Sequence, residues 1–268
     1  MQENFSSLII EVKDLVKNFK KIEAVKGITF SVLKGESFAF LGPNGAGKTT
    51  TIRILTTLLD PTSGSVVLNG FNVHEKPNEA RHSFGIVFQD PSLDTELTAY
   101  ENMYIHAVLY GLSKSVYLKR IEDLMKLVDL WERRDDLVKN FSGGMKRRLE
   151  IARGLLHHPK VLFLDEPTLG LDPQTRNHMW NYIKGLREKE GLTVFFTTHY
   201  MEEADKNADR IAIIDHGVIV AQGKSDELKL QTNTKTLEDA FLVLTGDTIR
   251  DSSGGDGSEM MKMWHGKR

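Results

Sequence analysis

Residues 42–50 spell Gly-Pro-Asn-Gly-Ala-Gly-Lys-Thr-Thr and contain the spacing G-x-x-x-x-G-K-[ST]. This spacing is typical of a phosphate-binding loop, whose backbone N–H groups surround an anion at the start of a helix. Lys48 would reach the terminal phosphates of a nucleotide, and the Thr49 hydroxyl is placed to bind Mg²⁺. The predicted nucleotide contacts are Gly42, Pro43, Asn44, Gly45, Ala46, Gly47, Lys48, Thr49 and Thr50. A plain glycine-rich turn is the alternative; the spacing arises by chance in roughly 1% of chains of this length.

Two adjacent acids, Asp165 and Glu166, follow the apolar run 161–164. An acid at the carboxyl end of a buried strand beside a phosphate loop can hold Mg²⁺, which predicts a metal role for Asp165. Glu166 projects one residue further, where a catalytic base or a water-orienting group is needed. A solvated acidic turn is the alternative, and the phosphate loop earlier in the chain favours the functional interpretation.

Ser142, Gly143 and Gly144 precede a basic amphipathic segment. Free N–H groups at a helix N-terminus, next to glycines without a Cβ, would form a second anion site. The alternative is that Ser142 acts as an ordinary helix N-cap. Helical spacing places Met145, Leu149, Ala152 and Leu156 on one face and predicts that Lys146, Arg147 and Arg148 mostly face solvent.

Short apolar runs at residues 38–41, 84–88, 161–164 and 193–196 indicate buried strands that alternate with helical patterns. Such alternation predicts a parallel sheet that is covered on both faces. Further strands are predicted at 8–12, 28–32 and 65–68, and two more within 210–221 around a turn at Asp215-His216-Gly217. Residues 98–158 show helical spacing and predict an inserted helical subdomain. The segment 251–268 is linker-like and predicts a disordered tail.

The composition of the 268-residue chain is that of a globular protein, with 40% hydrophobic and 27% charged residues. A net charge of −2 argues against a general nucleic-acid or anionic-membrane binder. The absence of cysteine excludes disulfides and cysteine-based metal sites. The sequence has neither a long apolar span nor a signal peptide. We therefore expect a cytoplasmic protein whose contact with a membrane comes through a partner.

The order of these motifs resembles the ATP-binding-cassette family from about Leu8 to Leu244. The resemblance implies an α/β fold: a P-loop NTPase core with a mainly parallel sheet, an N-terminal antiparallel β-subdomain and an inserted α-helical subdomain. It implies one nucleotide-binding domain over residues 8–244, with the helical subdomain at about 96–158. It also implies that ATP and Mg²⁺ are the cofactors.

The resemblance also implies roles for four isolated residues. Phe19 would stack on adenine, although a half-buried loop aromatic is the alternative. Gln89 would complete the Mg²⁺ ligands and sense the γ-phosphate. Asp172 lies in the loop that contacts the opposing subunit in the family, and His199 matches the switch histidine, for which a structural role is the alternative.

In this family two subunits form a head-to-tail dimer with ATP between them. The resemblance implies that ATP lies between Lys48, Thr49 and Thr50 of one subunit and Ser142-Gly143-Gly144 of the other. Glu166 would polarise the attacking water while His199 holds the γ-phosphate. ATP would favour the closed dimer, and hydrolysis would remove that preference. The dimer is either a homodimer or a pair with a second cassette subunit.

Phe141 and Met145 stand where leucine and glutamine are usual in the family. This variant, together with residues 198–204 and 237–246, resembles the daunorubicin-type export subunits, whose permease is a separate chain. The expected location is therefore peripheral, on the inner face of the cell membrane. The expected permease contact is the region Gln89 to Leu112.

Other functions remain as alternatives. A non-transport ATPase of the same family would act on a macromolecular partner, but the long heptad insertion of chromosome-type members is missing. A nucleotide kinase or GTPase would not need Ser142-Gly143-Gly144. A catalytically inactive module is disfavoured because Lys48, Asp165, Glu166 and His199 are all present.

Overall fold

The computed structural model describes residues 8–90 and 92–246. The strands are β1 Leu8–Phe19, β2 Ile22–Leu33, β3 Ser37–Leu41, β4 Ser63–Leu68, β5 Phe71–Asn72, β6 Phe84–Val87, β7 Val161–Asp165, β8 Thr193–Thr197, β9 Arg210–Asp215 and β10 Val218–Gly223. The α-helices are α1 Lys48–Leu55, α2 Pro77–His82, α3 Ala99–Leu109, α4 Lys114–Leu127, α5 Gly143–Gly154, α6 Pro173–Glu190, α7 Met201–Asn207, α8 Ser225–Thr232 and α9 Leu237–Thr245.

The central sheet has six strands in the order β10-β9-β3-β8-β7-β6. The strands from β6 to β9 run parallel, and β10 pairs antiparallel with β9 at the edge. Strands β3, β7 and β8 are buried along their whole length, as expected for a sheet covered on both faces. The predicted mainly parallel α/β core is confirmed.

A second sheet is antiparallel, with the order β2-β1-β4-β5. Its first two strands extend well beyond the predicted runs 8–12 and 28–32. The register between β1 and β2 shifts between Val12 and Leu15, and Asp14 has a positive φ of 47°. Such a bulge interrupts the alternation of apolar and polar residues, so a periodicity of two identifies only part of each strand.

Side chains of β3 divide the interior into two apolar cores. Ala39 and Leu41 point to the core that includes the helices of the 99–154 region, while Phe38 and Phe40 point to the core shared with the antiparallel sheet and α1. Phe38 and Phe40 pack against Phe195, with ring centroids 5.6 Å apart in each pair. Strand β3 therefore ends at a fixed point between both cores, directly before the glycine-rich loop.

Helices α3, α4 and α5 lie between β6 and β7 in the chain, within the region predicted to be helical. Thr98 begins α3 with a capping box, in which its hydroxyl accepts the Glu101 N–H at 3.1 Å and its own N–H donates to the Glu101 carboxylate at 2.8 Å. The proposed tail 251–268 and the N-terminal segment lie outside the described residues. Within 8–90 and 92–246, no helix combines the length and the apolar character needed to cross a membrane.

Candidate nucleotide site

The glycine-rich loop connects the end of β3 to the start of α1. Gly47 has φ 111°, and a Cβ at this position would lie 2.6 Å from the carbonyl oxygen of Ala24. An L-residue with a side chain is therefore disfavoured here by both backbone conformation and space. The loop's close contact with β2 explains why the phosphate-binding spacing ends on a glycine before Lys48.

Lys48 is the first residue of α1 and is buried. Its Nζ donates to the carbonyl oxygens of Gly42 at 2.6 Å and Pro43 at 3.1 Å. Burial lowers the pKa of the Lys48 ammonium, and the negative charges of Glu166 and Asp165 partly offset that effect. The positive charge is thus held next to two acids at the edge of the sheet where the parallel strands end.

Asp165 ends β7, and its neighbour in the sheet is Thr197 at the end of β8. The Thr197 hydroxyl donates to Asp165 Oδ1 at 2.7 Å and accepts the N–H of Glu166 at 3.0 Å. Burial raises the pKa of the Asp165 carboxyl, and the hydrogen bond from Thr197 opposes that change. Glu166 has a positive φ of 49°, which is uncommon for a residue with a side chain.

The Glu166 carboxylate contacts His199, with Oε1 2.6 Å from Nε2. Burial raises the pKa of Glu166, but the hydrogen bond and charge of His199, together with the charge of Lys48, outweigh burial and lower it below its ordinary value. The second oxygen, Oε2, is buried and has no hydrogen-bond partner in the part of the chain that is described. A carboxylate that is ionised at neutral pH and has one oxygen free of hydrogen bonds to the described residues can orient a water molecule.

A cavity of about 400 Å³ brings most of the predicted residues together. It is lined by Ala24, Pro43, Asn44, Gly45, Gly47, Lys48, Thr49, Thr50, Gln89, Glu166, Leu169 and His199. Gln89, Glu166 and His199 come from three different parts of the chain and meet the phosphate loop here. Gly42, Ala46 and Asp165 lie next to lining residues in the chain but not on the cavity wall.

The Ser142-Gly143-Gly144 segment begins α5 away from this cavity. The Ser142 hydroxyl accepts the Met145 N–H at 3.3 Å, which is the ordinary N-cap arrangement. Ser142 and Gly144 line a different cavity of about 600 Å³, which also contains Tyr182. Within one chain, therefore, the two predicted anion sites do not meet.

Phe19 and Asp172 also lie off the 400 Å³ cavity. Phe19 is the last residue of β1 and is half-buried, with the Lys17 ammonium 5.1 Å from its ring centroid. Asp172 caps α6, and its carboxylate accepts the Thr175 N–H at 3.0 Å and the Thr175 hydroxyl at 2.6 Å. In the single chain, the structure gives these two residues local roles.

The prediction that Arg147 faces solvent is wrong. Its side chain is buried and hydrogen-bonded to the carbonyl oxygens of Glu166 at 3.0 Å and Pro167 at 2.7 Å. It also pairs with Glu150 at 3.2 Å. The sequence does place an acid, Glu150, three positions after Arg147 on the same helix face. This spacing did not predict burial, because it is also common on helix faces exposed to solvent.

The oxygen donors at the cavity and directly beside it fit Mg²⁺, although the residues do not enclose an ion. The Thr49 hydroxyl, the Gln89 amide oxygen and the Asp165 carboxylate are hard oxygen ligands of the kind Mg²⁺ prefers. Among the described residues, no group of three His, Cys, Asp or Glu side chains is arranged to hold a metal ion. Glu166 Oε2 is buried, has no hydrogen-bond partner within residues 8–90 and 92–246, and can still accept a contact at this point. A Mg²⁺ ion here would be bound by Thr49, Gln89 and Asp165 together with phosphate oxygens of the nucleotide.

A mainly parallel sheet, a glycine-rich loop leading into α1 and two acids at the end of β7 define a P-loop nucleotide-binding protein. The sequence pattern described as "ABC transporter" matches residues 25–169, and the chain belongs to this family. It is an ATP-binding transporter subunit and an ATPase. The predicted family and activity are confirmed.

Two named relatives support this assignment. The linearmycin resistance ATP-binding protein LnrL of Bacillus subtilis (strain 168) is 41% identical over 243 residues, covering 88% of this chain and 78% of that protein. The daunorubicin/doxorubicin resistance ATP-binding protein DrrA of Streptomyces peucetius is 43% identical over 228 residues, covering 85% and 69%. The predicted likeness to daunorubicin-type subunits is confirmed.

Solved structures agree with the fold. An ATP-binding subunit of an ABC transporter superimposes with a TM-score of 0.81 and 31% identity, covering 89% of this chain and 100% of that one. A dimeric ATP-binding cassette in a post-hydrolysis state, bound to ADP and Pi, gives a TM-score of 0.73 and 28% identity, covering 81% and 98%.

Proposed function

We propose that ATP binds in the 400 Å³ cavity and is hydrolysed there by the groups that converge on it. The phosphate loop and Lys48 bind the phosphates, while Glu166 accepts a proton from the attacking water. His199 fixes the Glu166 carboxylate through its 2.6 Å contact and would also contact the γ-phosphate. Catalysis then comes from positioning and from stabilisation of charge on the transferring phosphoryl group.

Thr49, Gln89 and Asp165 are the residues that would hold Mg²⁺ in this site. When bound, the ion would neutralise developing charge on the phosphate oxygens. Thr197 holds the Asp165 carboxylate in place through the 2.7 Å hydrogen bond to Oδ1. Because burial raises the pKa of Asp165, a cation next to it would favour the ionised form that binds metal.

The second half of the site comes from another subunit in this proposal. Ser142 and Gly144 are separated from the phosphate loop within one chain, yet the start of α5 presents free N–H groups. A head-to-tail dimer would place Ser142-Gly143-Gly144 of one subunit against ATP on the other. Asp172 would contact the partner across the same interface, and Phe19 would stack on adenine. That a related cassette is dimeric when bound to ADP and Pi supports the formation of a dimer.

The permease would bind at the outer face of α3. Ile105, Val108 and Leu109 are exposed there, and Leu109 is 78% exposed. A group of exposed apolar side chains on one helix indicates a protein contact. This helix begins ten residues after Gln89, so a partner bound here would contact the region that leads to the nucleotide cavity. The chain would then lie peripherally on the inner face of the cell membrane.

Export is the favoured direction of transport. The two named relatives are resistance proteins, and moving a toxic compound out of the cell is the simplest way in which an ATP-driven transporter provides resistance.

The convergence of Lys48, Glu166 and His199 on one cavity is the observation that most directly supports the ATPase mechanism. A non-transport role on a macromolecular partner gains no support from these relatives.

Replacing Glu166 by glutamine tests the catalytic assignment. Because the amide cannot accept the proton, we expect turnover of ATP to fall by about 10²–10⁴-fold while ATP binding is retained. Steady-state phosphate release and equilibrium binding of a fluorescent ATP analogue would measure the two effects. Glu188→Gln, at an exposed acid on α6, is the matched control. Unchanged turnover in Glu166→Gln would contradict the assignment.

A further inference from the structure

Three charged residues spaced three apart on α5 face the chain around Gln89. They are Arg147, Glu150 and Arg153. We call residues 88–90 and Ser92 the Gln89 segment. Glu150 is buried and accepts the Ser92 N–H at 2.7 Å. Arg153 donates to the Ser92 carbonyl oxygen at 2.9 Å and also to its hydroxyl. The C-terminal side of the Gln89 segment is therefore hydrogen-bonded to α5 through side chains.

Arg147 connects the same segment to the catalytic acid. Its Nη1 donates to the Phe88 carbonyl oxygen and to Glu150 Oε2 at 3.2 Å. Its Nη2 donates to the carbonyl oxygens of Gln89 at 3.5 Å and Glu166 at 3.0 Å. Its Nε donates to the Pro167 carbonyl oxygen at 2.7 Å. A guanidinium has five N–H donors, and here five acceptors are available for them.

The environment makes this arrangement specific. Burial lowers the pKa of the Arg147 guanidinium, and the charge of Glu150 is the largest opposing effect. A buried charge is tolerated only when it is paired and fully hydrogen-bonded, so loss of any acceptor would be costly. A planar guanidinium also fixes the directions of its hydrogen bonds, which a flexible ammonium cannot do.

We propose that Arg147 is a positioning residue that sets the spacing between the Gln89 segment and Glu166. Its hydrogen bonds reach the main chain on both sides of the cavity, and one acceptor is the carbonyl of Glu166, a residue with positive φ. Arg147 therefore affects the rate of hydrolysis and leaves the phosphate loop, which binds the nucleotide, unchanged. This inference rests on the proposed roles of Gln89 and Glu166.

Arg147→Gln tests the proposal in the full-length chain. We expect kcat for ATP hydrolysis to fall by about 10–100-fold, because small misplacements of catalytic groups have effects of that size. The Kd for ATP should change by less than about threefold, because the hydrogen bonds of Arg147 do not involve the phosphate loop. Arg81→Gln is the matched control, because Arg81 is an exposed arginine on α2 that lines neither the 400 Å³ nor the 600 Å³ cavity. That control should keep both values within about threefold of the wild type.

Hydrogen exchange supplies a readout that a general loss of stability would not produce. In Arg147→Gln, the amides of residues 88–90, 166, 168 and 169 should exchange faster while those of β3 and β8 remain protected. Arg147→Lys keeps the charge near Glu150 but cannot reach both segments, so it should fold and still show the lowered kcat. Equal loss of ATP affinity and kcat, unchanged kcat, or unfolding of both variants would overturn the proposal. Absence of ATP hydrolysis by the wild-type chain would instead count against the proposed function itself.

Discussion

The hydroxyl of Thr197 accepts a hydrogen bond from the Glu166 N–H and donates one to Asp165 Oδ1. One buried side chain on β8 thus fixes both acids at the end of β7. The pairing follows from the sheet, in which Asp165 and Thr197 are directly opposite in the parallel register. Positioning of a proposed metal ligand and of the proposed base therefore depends on the same neighbouring strand.

Thr197→Val should uncouple the two acids. Valine has nearly the same shape, but it leaves the Glu166 N–H and the Asp165 carboxylate without these hydrogen bonds. Leaving a buried donor unsatisfied costs about 1–3 kcal/mol, so we expect the free energy of unfolding, measured with urea, to fall by that amount. Turnover of ATP should fall by at least about tenfold, because Glu166 is no longer held.

Thr197→Ser is the control for this change, because it keeps the hydroxyl and removes only a methyl group. It should retain most of the turnover while losing some packing energy. Equal turnover in the serine and valine variants would show that the hydroxyl does not position the acids.

The sequence predicted the parts of the site that are local in the chain. The phosphate loop and the two acids follow buried apolar runs, so both spacing and context are visible in one segment. Arg147 and Thr197 were not assigned a role in positioning Glu166, because their importance arises from neighbours far away in the chain. In the sequence, Arg147 is one of three consecutive basic residues and does not differ from the other two. Only its packing against residues 88–90 and 166–167 distinguishes it.

The same limit applies to the antiparallel sheet. The bulge near Asp14 interrupts the alternation of apolar and polar residues, so a periodicity of two does not predict the second half of β1.

The roles of Phe19 and Asp172 rest on the family resemblance. Within one chain, Phe19 contacts Lys17 and Asp172 contacts Thr175. Their proposed roles need groups that only ATP or a second subunit would supply.

A half-buried histidine next to the central sheet predicts a pH dependence of stability. His157 Nε2 contacts the Phe84 carbonyl oxygen at 2.8 Å, and its ring stacks on Tyr110 with centroids 3.9 Å apart. Burial lowers the pKa of His157 from 6.5 to about 4. The unfolded chain therefore takes up this proton first as the pH falls, and the folded state loses stability from about pH 6.5 down to about pH 4.

His157→Gln should reduce this acid sensitivity. Glutamine can still donate to the Phe84 carbonyl but does not titrate. The free energy of unfolding, measured with urea between pH 7 and pH 4.5, should fall less steeply by up to about 1.4 kcal/mol per pH unit. His106, whose pKa burial lowers to about 3, would remain and keep part of the slope. The matched control is His74→Gln at an exposed position, which should keep the wild-type steepness; an equally steep curve for His157→Gln would contradict this explanation.

The central claim is that each ATP lies between the phosphate loop of one subunit and the start of α5 of another. Sedimentation velocity of the Glu166→Gln chain with Mg·ATP, with and without Ser142→Arg, tests it most directly. Ser113→Arg, at the exposed N-cap of α4, is the matched control. We predict an ATP-dependent dimer for Glu166→Gln alone and with Ser113→Arg, and a monomer that still binds ATP when Ser142→Arg is added. An ATP-dependent dimer that persists with Ser142→Arg would contradict the shared site.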